Sequence, residues 1–144
     1  MSTKNQHQDR SPCPLASALD IVGDHWTLLI IRDLMFMGRH EYKEMLEAWE
    51  GISSNILSNR LEKLTSSQMI DSVPHPESKR RKLYYLTEKG KSLLPVIAEL
   101  TIWGFAQKKS NKVPPHLKEL LTGSRTKLTK KVLNSLTKWE KTYL

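Results

Sequence analysis

Apolar residues recur at steps of three and four along most of this chain, and the rhythm changes only between residues 69 and 87. Leu15, Ala18, Leu19 and Val22 predict a first helix, opened by Pro14 at a position that suits its fixed φ and closed by Gly23 as a C′ residue. Asp24 can cap a second helix from His25 to Met37. Trp26, Leu29, Ile30, Ile31, Leu34 and Met35 make it apolar almost all round, so it should be the most buried. These two helices are expected to form the scaffold. A third helix, roughly Glu41 to Trp49, would bury Tyr42, Met45, Leu46 and Trp49. A fourth carries Leu57, Leu61 and Leu64 at i, i+4, i+7, with Ile56 beside them.

Only Glu50-Gly51-Ile52 separates the third helix from the fourth. Gly51 can take the positive φ of a sharp corner, Ile52 plugs it, and Ser53 is a good N-cap. Two helices joined by so short a glycine-containing turn have helix-turn-helix spacing. Beyond them, Met69 to Val73 and Lys82 to Thr87 are short β-prone runs around a proline-punctuated loop, Pro74 to Arg81. A hairpin in this place is a wing. A long helix follows to about Lys109, with Leu93, Leu94, Ile97, Leu100 and Trp103 in a stripe and Pro95 kinking or breaking it. That stripe is a candidate dimer face, with one side on the scaffold and the other on a second subunit. After Pro114-Pro115, a short helical turn at Leu117 to Leu121 precedes an amphipathic helix from Arg125 to Tyr143, with Leu128, Val132, Leu136, Trp139 and Tyr143 on one face.

Charge changes this picture mainly at the end. The net charge is +8 and the pI near 9.6, a balance that favours an anionic partner, nucleic acid first. Residues 1–107 nevertheless hold 13 basic and 13 acidic residues, whereas residues 108–144 hold 10 and 2. The whole excess lies in the tail, so any nucleic-acid site in the body must rest on local clusters. Lys79, Arg80, Arg81 and Lys82 form the densest of these. A single cysteine excludes an internal disulfide framework, and a polar start and the absence of an 18-residue apolar run point to a cytoplasmic chain with no membrane span. The five histidines show no i, i+3 or i, i+4 pairing, so no metal site, cofactor or catalytic constellation is expected. An enzyme is not indicated.

Cys13-Pro14 with Ala18-Leu19-Asp20, Gly23 to Ile30, Gly51-Ile52-Ser53 with Leu57 to Leu61, Tyr84 to Thr87 with Gly90, and Trp103-Gly104 fall in one register over residues 13–107. In these motifs the chain resembles the HxlR-type winged helix-turn-helix transcriptional regulators. The resemblance implies a homodimer on a palindromic DNA operator, with one recognition helix in each major groove and the wings flanking. It also implies a role for Cys13, because some members sense electrophiles or oxidants through a cysteine at this place. Departures are Tyr42-Lys43-Glu44-Met45 for an aromatic-x-Glu-Leu run, Glu50 for a proline, Gln68 for a glycine, and a basic wing where prolines are common. The operator therefore cannot be borrowed from a relative.

The expected fold is mainly α with a small β-hairpin wing, a winged helix-turn-helix dimeric through terminal helices. Residues 1–12 would be a flexible arm, 13–107 the winged domain with its dimerisation helix, and 108–144 a basic helical extension. Ser53, Ser54, Asn55, Ser58 and Asn59 are expected at bases or nearby phosphates of double-stranded DNA. Lys63, Lys79, Arg80 and Arg81 are expected at phosphates, with Arg39 a further backbone candidate. Arg60 lies near the buried edge, where a phosphate contact or an intramolecular ion pair suits it better than base readout. Cys13 is either a reactive thiol at a helix N-terminus or a small side chain tucked beneath the scaffold. The tail has two favoured roles, a helix docked on its own domain or a second dimer contact. The other reading of the whole chain is a winged-helix protein-interaction module, suggested by the neutral body and by Glu62 amid the recognition face. No small-molecule effector is identified by the sequence.

Overall fold

Helix α2 (Thr27–Phe36) is the post on which the other elements pack, in a computed structural model that describes residues 11–108 and 115–144, the side chains at 116, 117, 119 and 120 excepted. Ile30, Ile31, Leu34 and Met35 of α2 are buried against Leu57, Leu61 and Leu64 of α4 (Ser54–Ser66). Asp24 accepts hydrogen bonds from the backbone N–H groups of Trp26 (3.0 Å) and Thr27 (3.2 Å), but it does so from the turn ahead of α2, which starts two residues later than expected with Trp26 as its N-cap residue. Most of the expected arm, residues 1–10, lies outside the described residues.

Helix α1 (Pro14–Val22) differs from its expected scaffold role. None of its residues is buried, and Leu15, Leu19 and Ile21 stand exposed. Gly23 ends it at φ −81°, a right-handed conformation rather than the left-handed C′ turn. Helix α3 (Tyr42–Leu46) is also shorter than the periodicity suggested. It stops before Trp49, which is 73% exposed rather than buried, because the chain is already turning toward Gly51 at φ +67°. Glu41 and Glu44 form a capping box at its start, which no Ser or Thr announced.

The wing is a two-stranded antiparallel ribbon, β1 (Ile70–His75) with β2 (Ser78–Leu86), in the register Ile70↔Leu86 to Pro74↔Lys82. Lys79, Arg80 and Arg81 therefore lie on a strand, not in a loop as expected. From Ser78 to Lys82 every side chain of β2 is polar, which hides the alternation that marks a strand, whereas Leu83 and Leu86 nearer the body are buried. Gln68 takes φ +62°, so the turn into β1 is made by a residue with a Cβ.

The long C-terminal helix is broken, one of the two outcomes expected of Pro95. Short α5 (Glu88–Lys91), N-capped by Thr87, gives way to α6 (Leu94–Gln107), with Pro95 tolerated in its first turn. A Cβ at Gly90 would meet the Met69 carbonyl oxygen at 2.1 Å, which explains glycine there. Two of the five expected dimer residues need correcting: Leu94 and Ile97 are only 4% and 5% exposed, in the core of their own chain. Leu93 packs against the same core, while Leu100 and Trp103 are exposed. Beyond α7 (Pro115–Thr122), α8 (Arg125–Tyr143) lays Leu128, Val132 and Leu136 into the core. The tail helix is thus docked on its own domain.

Candidate nucleic-acid interface

Ser53 caps α4 by accepting the Ile56 N–H at 3.3 Å, and the Leu57, Leu61 and Leu64 stripe fixes which way the helix faces. Turned away from that stripe, Ser54, Asn55, Ser58, Asn59, Glu62 and Lys63 are all exposed. The corner ahead of α4 is held by charge. Arg32 of α2 makes a two-pronged pair with Glu50, each bond 2.8 Å, so Glu50 ties the turn to the post. Asp33, 3% exposed, receives Arg32 at 2.8 Å and Arg39 at 3.0 Å. Burial pushes the Asp33 carboxyl up against the pull of those two guanidiniums, while the Arg32 bonds hold the Glu50 carboxyl down.

Arg60 makes the intramolecular ion pair weighed for it above. Its Nε donates to Asp24 at 2.7 Å and its Nη1 to the Asn59 amide oxygen. Burial works against the Asp24 charge, but hydrogen bonds from Thr27 and Arg60 prevail and hold that carboxyl at about 2. Arg60 therefore sets the angle of α4 against the α1–α2 corner. Arg39 is committed in the same way through Asp33, with its own N–H on the Asp33 carbonyl at 3.1 Å.

Across from α4 the wing presents Lys79, Arg80 and Lys82, exposed and with no partner among the described residues. Arg81 instead pairs with Glu41, which also receives His75 Nε2 at 3.0 Å. One carboxylate at the head of α3 thereby anchors both wing strands. Between α3 and β2 opens a cleft of about 660 Å³ lined by Tyr42, Lys43, Arg80, Lys82 and Tyr84, among others. Tyr42 packs its ring partly buried against the core, in keeping with its spacing. Its hydroxyl donates to the Ser54 carbonyl at 3.0 Å and lies 3.1 Å from Ser58 Oγ, joining the two helices at their outer rim. Lys43, which the sequence did not single out, and Lys82, the last of the basic run, also line this cleft.

Cys13 is the N-cap residue of α1, and it is exposed rather than tucked away. No group of three His, Cys, Asp or Glu among the described residues is placed to hold a metal ion. No single helix among them is long and apolar enough to cross a membrane.

Comparison with known proteins completes the description. Residues 21–112 match the family described as HxlR-like helix-turn-helix. The HTH-type transcriptional regulator YodB of Bacillus subtilis is 36% identical over 92 residues, 63% of this chain and 81% of that protein. Rv3095 of Mycobacterium tuberculosis, an HTH-type transcriptional regulator, is 38% identical over 87 residues, 60% of this chain but only 54% of that relative. Among solved structures, the reduced form of YodB superposes with a TM-score of 0.54 at 30% identity, covering 71% of this chain and all of that one. A quinone-bound form of YodB gives 0.52 at 33% identity, over 65% of this chain and 98% of that one. These relatives are transcriptional regulators, not enzymes, and the family match ends at residue 112, ahead of α8.

Proposed function

The chain belongs to the HxlR-like helix-turn-helix family of transcriptional regulators, and on that footing we propose that it binds a two-fold DNA operator as a homodimer. One observation carries this reading. The outer edge of α4 is a run of short, exposed hydrogen-bonding side chains, Ser54, Asn55, Ser58 and Asn59, on a helix whose other side is sealed by leucines. Asparagine can pair with adenine through two bonds in the major groove, and serine can reach either base edges or phosphates. Lys63, Lys79, Arg80 and the α3–β2 cleft then take the phosphates that flank the groove. In this scheme residues 13–107 bind DNA and the second subunit, and 108–144 is an appended helical element.

The second copy of the chain is assigned to the exposed apolar residues of α1 and α6. Leu15 and Leu19 on one helix, and Leu100 and Trp103 on the other, are half or more exposed. Cys13 opens α1, so a thiol adduct or an intersubunit disulfide there would act at the dimer contact. YodB, a relative, is known in a quinone-bound form, which makes a quinone a fitting probe here. Cys13→Ser should abolish operator release by diamide or a quinone, and equal release from both proteins would remove the sensor role.

Selecting bound duplexes from a random pool tests the main proposal. A regulator should hold its selected site about a thousandfold more tightly than unrelated duplex of the same length. Equal affinity would leave only a charged protein that sticks to DNA.

A further inference from the structure

Helix α8 spends one face on its own domain and turns a different chemistry outward. Leu128, Val132 and Leu136 lie in the core. At about 100° per residue, Lys127, Lys130, Lys138 and Lys141 fall within about 80° of one another on the opposite side. All four are exposed, and their ammonium groups have no partner among the described residues. The one carboxylate of α8, Glu140, is turned toward the body, where it pairs with Lys91 at 2.7 Å. Arg125 is likewise spent, on Glu99 of α6. The row from Lys127 to Lys141 runs for about 21 Å, a length over which duplex DNA presents about a dozen phosphates.

We propose that this row is a sequence-independent contact to the DNA flanking the operator, beyond the reach of α4 and the wing. The inference rests on the DNA-binding proposal and gives the extension a part in it. Placement favours DNA. The C-terminal end of α8 sits at the root of the wing, with Trp139 stacked on His40 at 3.9 Å and 6.3 Å from the Tyr85 ring of β2. The wing is the element assigned to the outer side of each recognition helix, so α8 continues the surface away from the dyad. A lipid surface fits less well, because a helix lying on a membrane inserts its apolar face, and that of α8 is buried in the core. A protein partner fits less well too. Protein interfaces centre on apolar and aromatic side chains and are depleted of lysine, whereas this row interleaves its lysines with Asn134. The row lies beyond the stretch at 21–112 that matches the family, so the contact belongs to this chain's own extension.

The substitutions Lys127→Gln, Lys130→Gln, Lys138→Gln and Lys141→Gln are combined in the full chain, with the four Lys→Arg changes as a charge-preserving control. Both proteins should keep the wild-type Tm. Fluorescence anisotropy then compares the selected operator alone with the same operator carrying about 10 further base pairs, one helical turn, on each side. Wild type should bind the longer duplex about tenfold more tightly, and the Arg variant should keep that gain. The Gln variant should bind both duplexes as wild type binds the short one. On the longer duplex its slope of log K against log salt should fall by about two units, one phosphate for each subunit. No gain from the flanks in wild type, the same gain in the Gln variant, or an equal loss on both duplexes would each overturn the inference. Wild type that held its operator no better than unrelated duplex would sink the regulator reading instead. The salt slope on long unrelated duplex would still decide the row: a shallower slope in the Gln variant supports it, and an unchanged one overturns it.

Discussion

Helix α4 and strand β2 face the same side of the proposed interface with opposite chemistry. The exposed edge of α4 is mostly neutral and short: two serines and two asparagines, with Lys63 balanced by Glu62 one residue before it. Strand β2 offers four consecutive cations, one of which, Arg81, is tied to Glu41. Cations attract any phosphate backbone, so β2 can add affinity without adding choice. Amide and hydroxyl groups gain little from a backbone at a distance and much from one particular base edge. The difference teaches that charge is a poor guide to where this chain would read sequence. Its most basic stretch, residues 108–144, contributes a helix that serves its own core.

The sharpest way to break that comparison is to remove one amide from α4. Asn55→Ala should cost about 1–3 kcal/mol on the selected site and flatten the preference at one position, while binding to unrelated duplex barely changes. Arg80→Ala should act differently. It should weaken every sequence alike and reduce the slope of log K against log salt by about one unit, measured by titration between 50 and 200 mM salt. If the two variants behaved alike on all sequences, the division between helix and strand would be wrong.

A smaller effect sharpens the contrast from the protein side, because the wing rests on an imidazole, His40, and α4 on a carboxylate, Asp24. Burial pushes the His40 imidazole below its ordinary 6.5, although the Tyr84 carbonyl and Glu44 pull the other way. The folded chain therefore favours neutral His40, while the unfolded chain takes up a proton below about 6.5. This contribution to stability is complete above that value and is lost progressively as pH falls below it. Urea unfolding at pH 7.5 and 5.5 should show wild type losing stability on acidification. His40→Phe should lose about 1 kcal/mol with its Tyr84 bond but show a flatter pH dependence. An unchanged pH slope in the variant would mean that His40 is not the group responsible.

Much of α4 was legible in the sequence, and much of its support was not. The Gly51-Ile52-Ser53 corner and the Leu57, Leu61, Leu64 stripe are local signals, and the structure keeps both. The ties that orient the helix join residues far apart in the chain, Arg32 with Glu50 and Arg60 with Asp24, and no local pattern announces them. The spacing of Trp49 resembled a buried stripe, but α3 ends three residues earlier and leaves the ring outside. Leu94 and Ile97 share a stripe with Leu100 and Trp103, yet the first two face their own core and the last two face solvent. Periodicity says that a face is apolar; it does not say whose surface covers it.

Hydroxyl-radical footprinting of the full chain on its selected operator tests the central claim most directly. Two α4 edges related by a dyad should protect two matching patches centred about 10 base pairs apart, on a site whose halves are inverted repeats. A single protected patch, or the same diffuse protection on a scrambled duplex, would contradict the account.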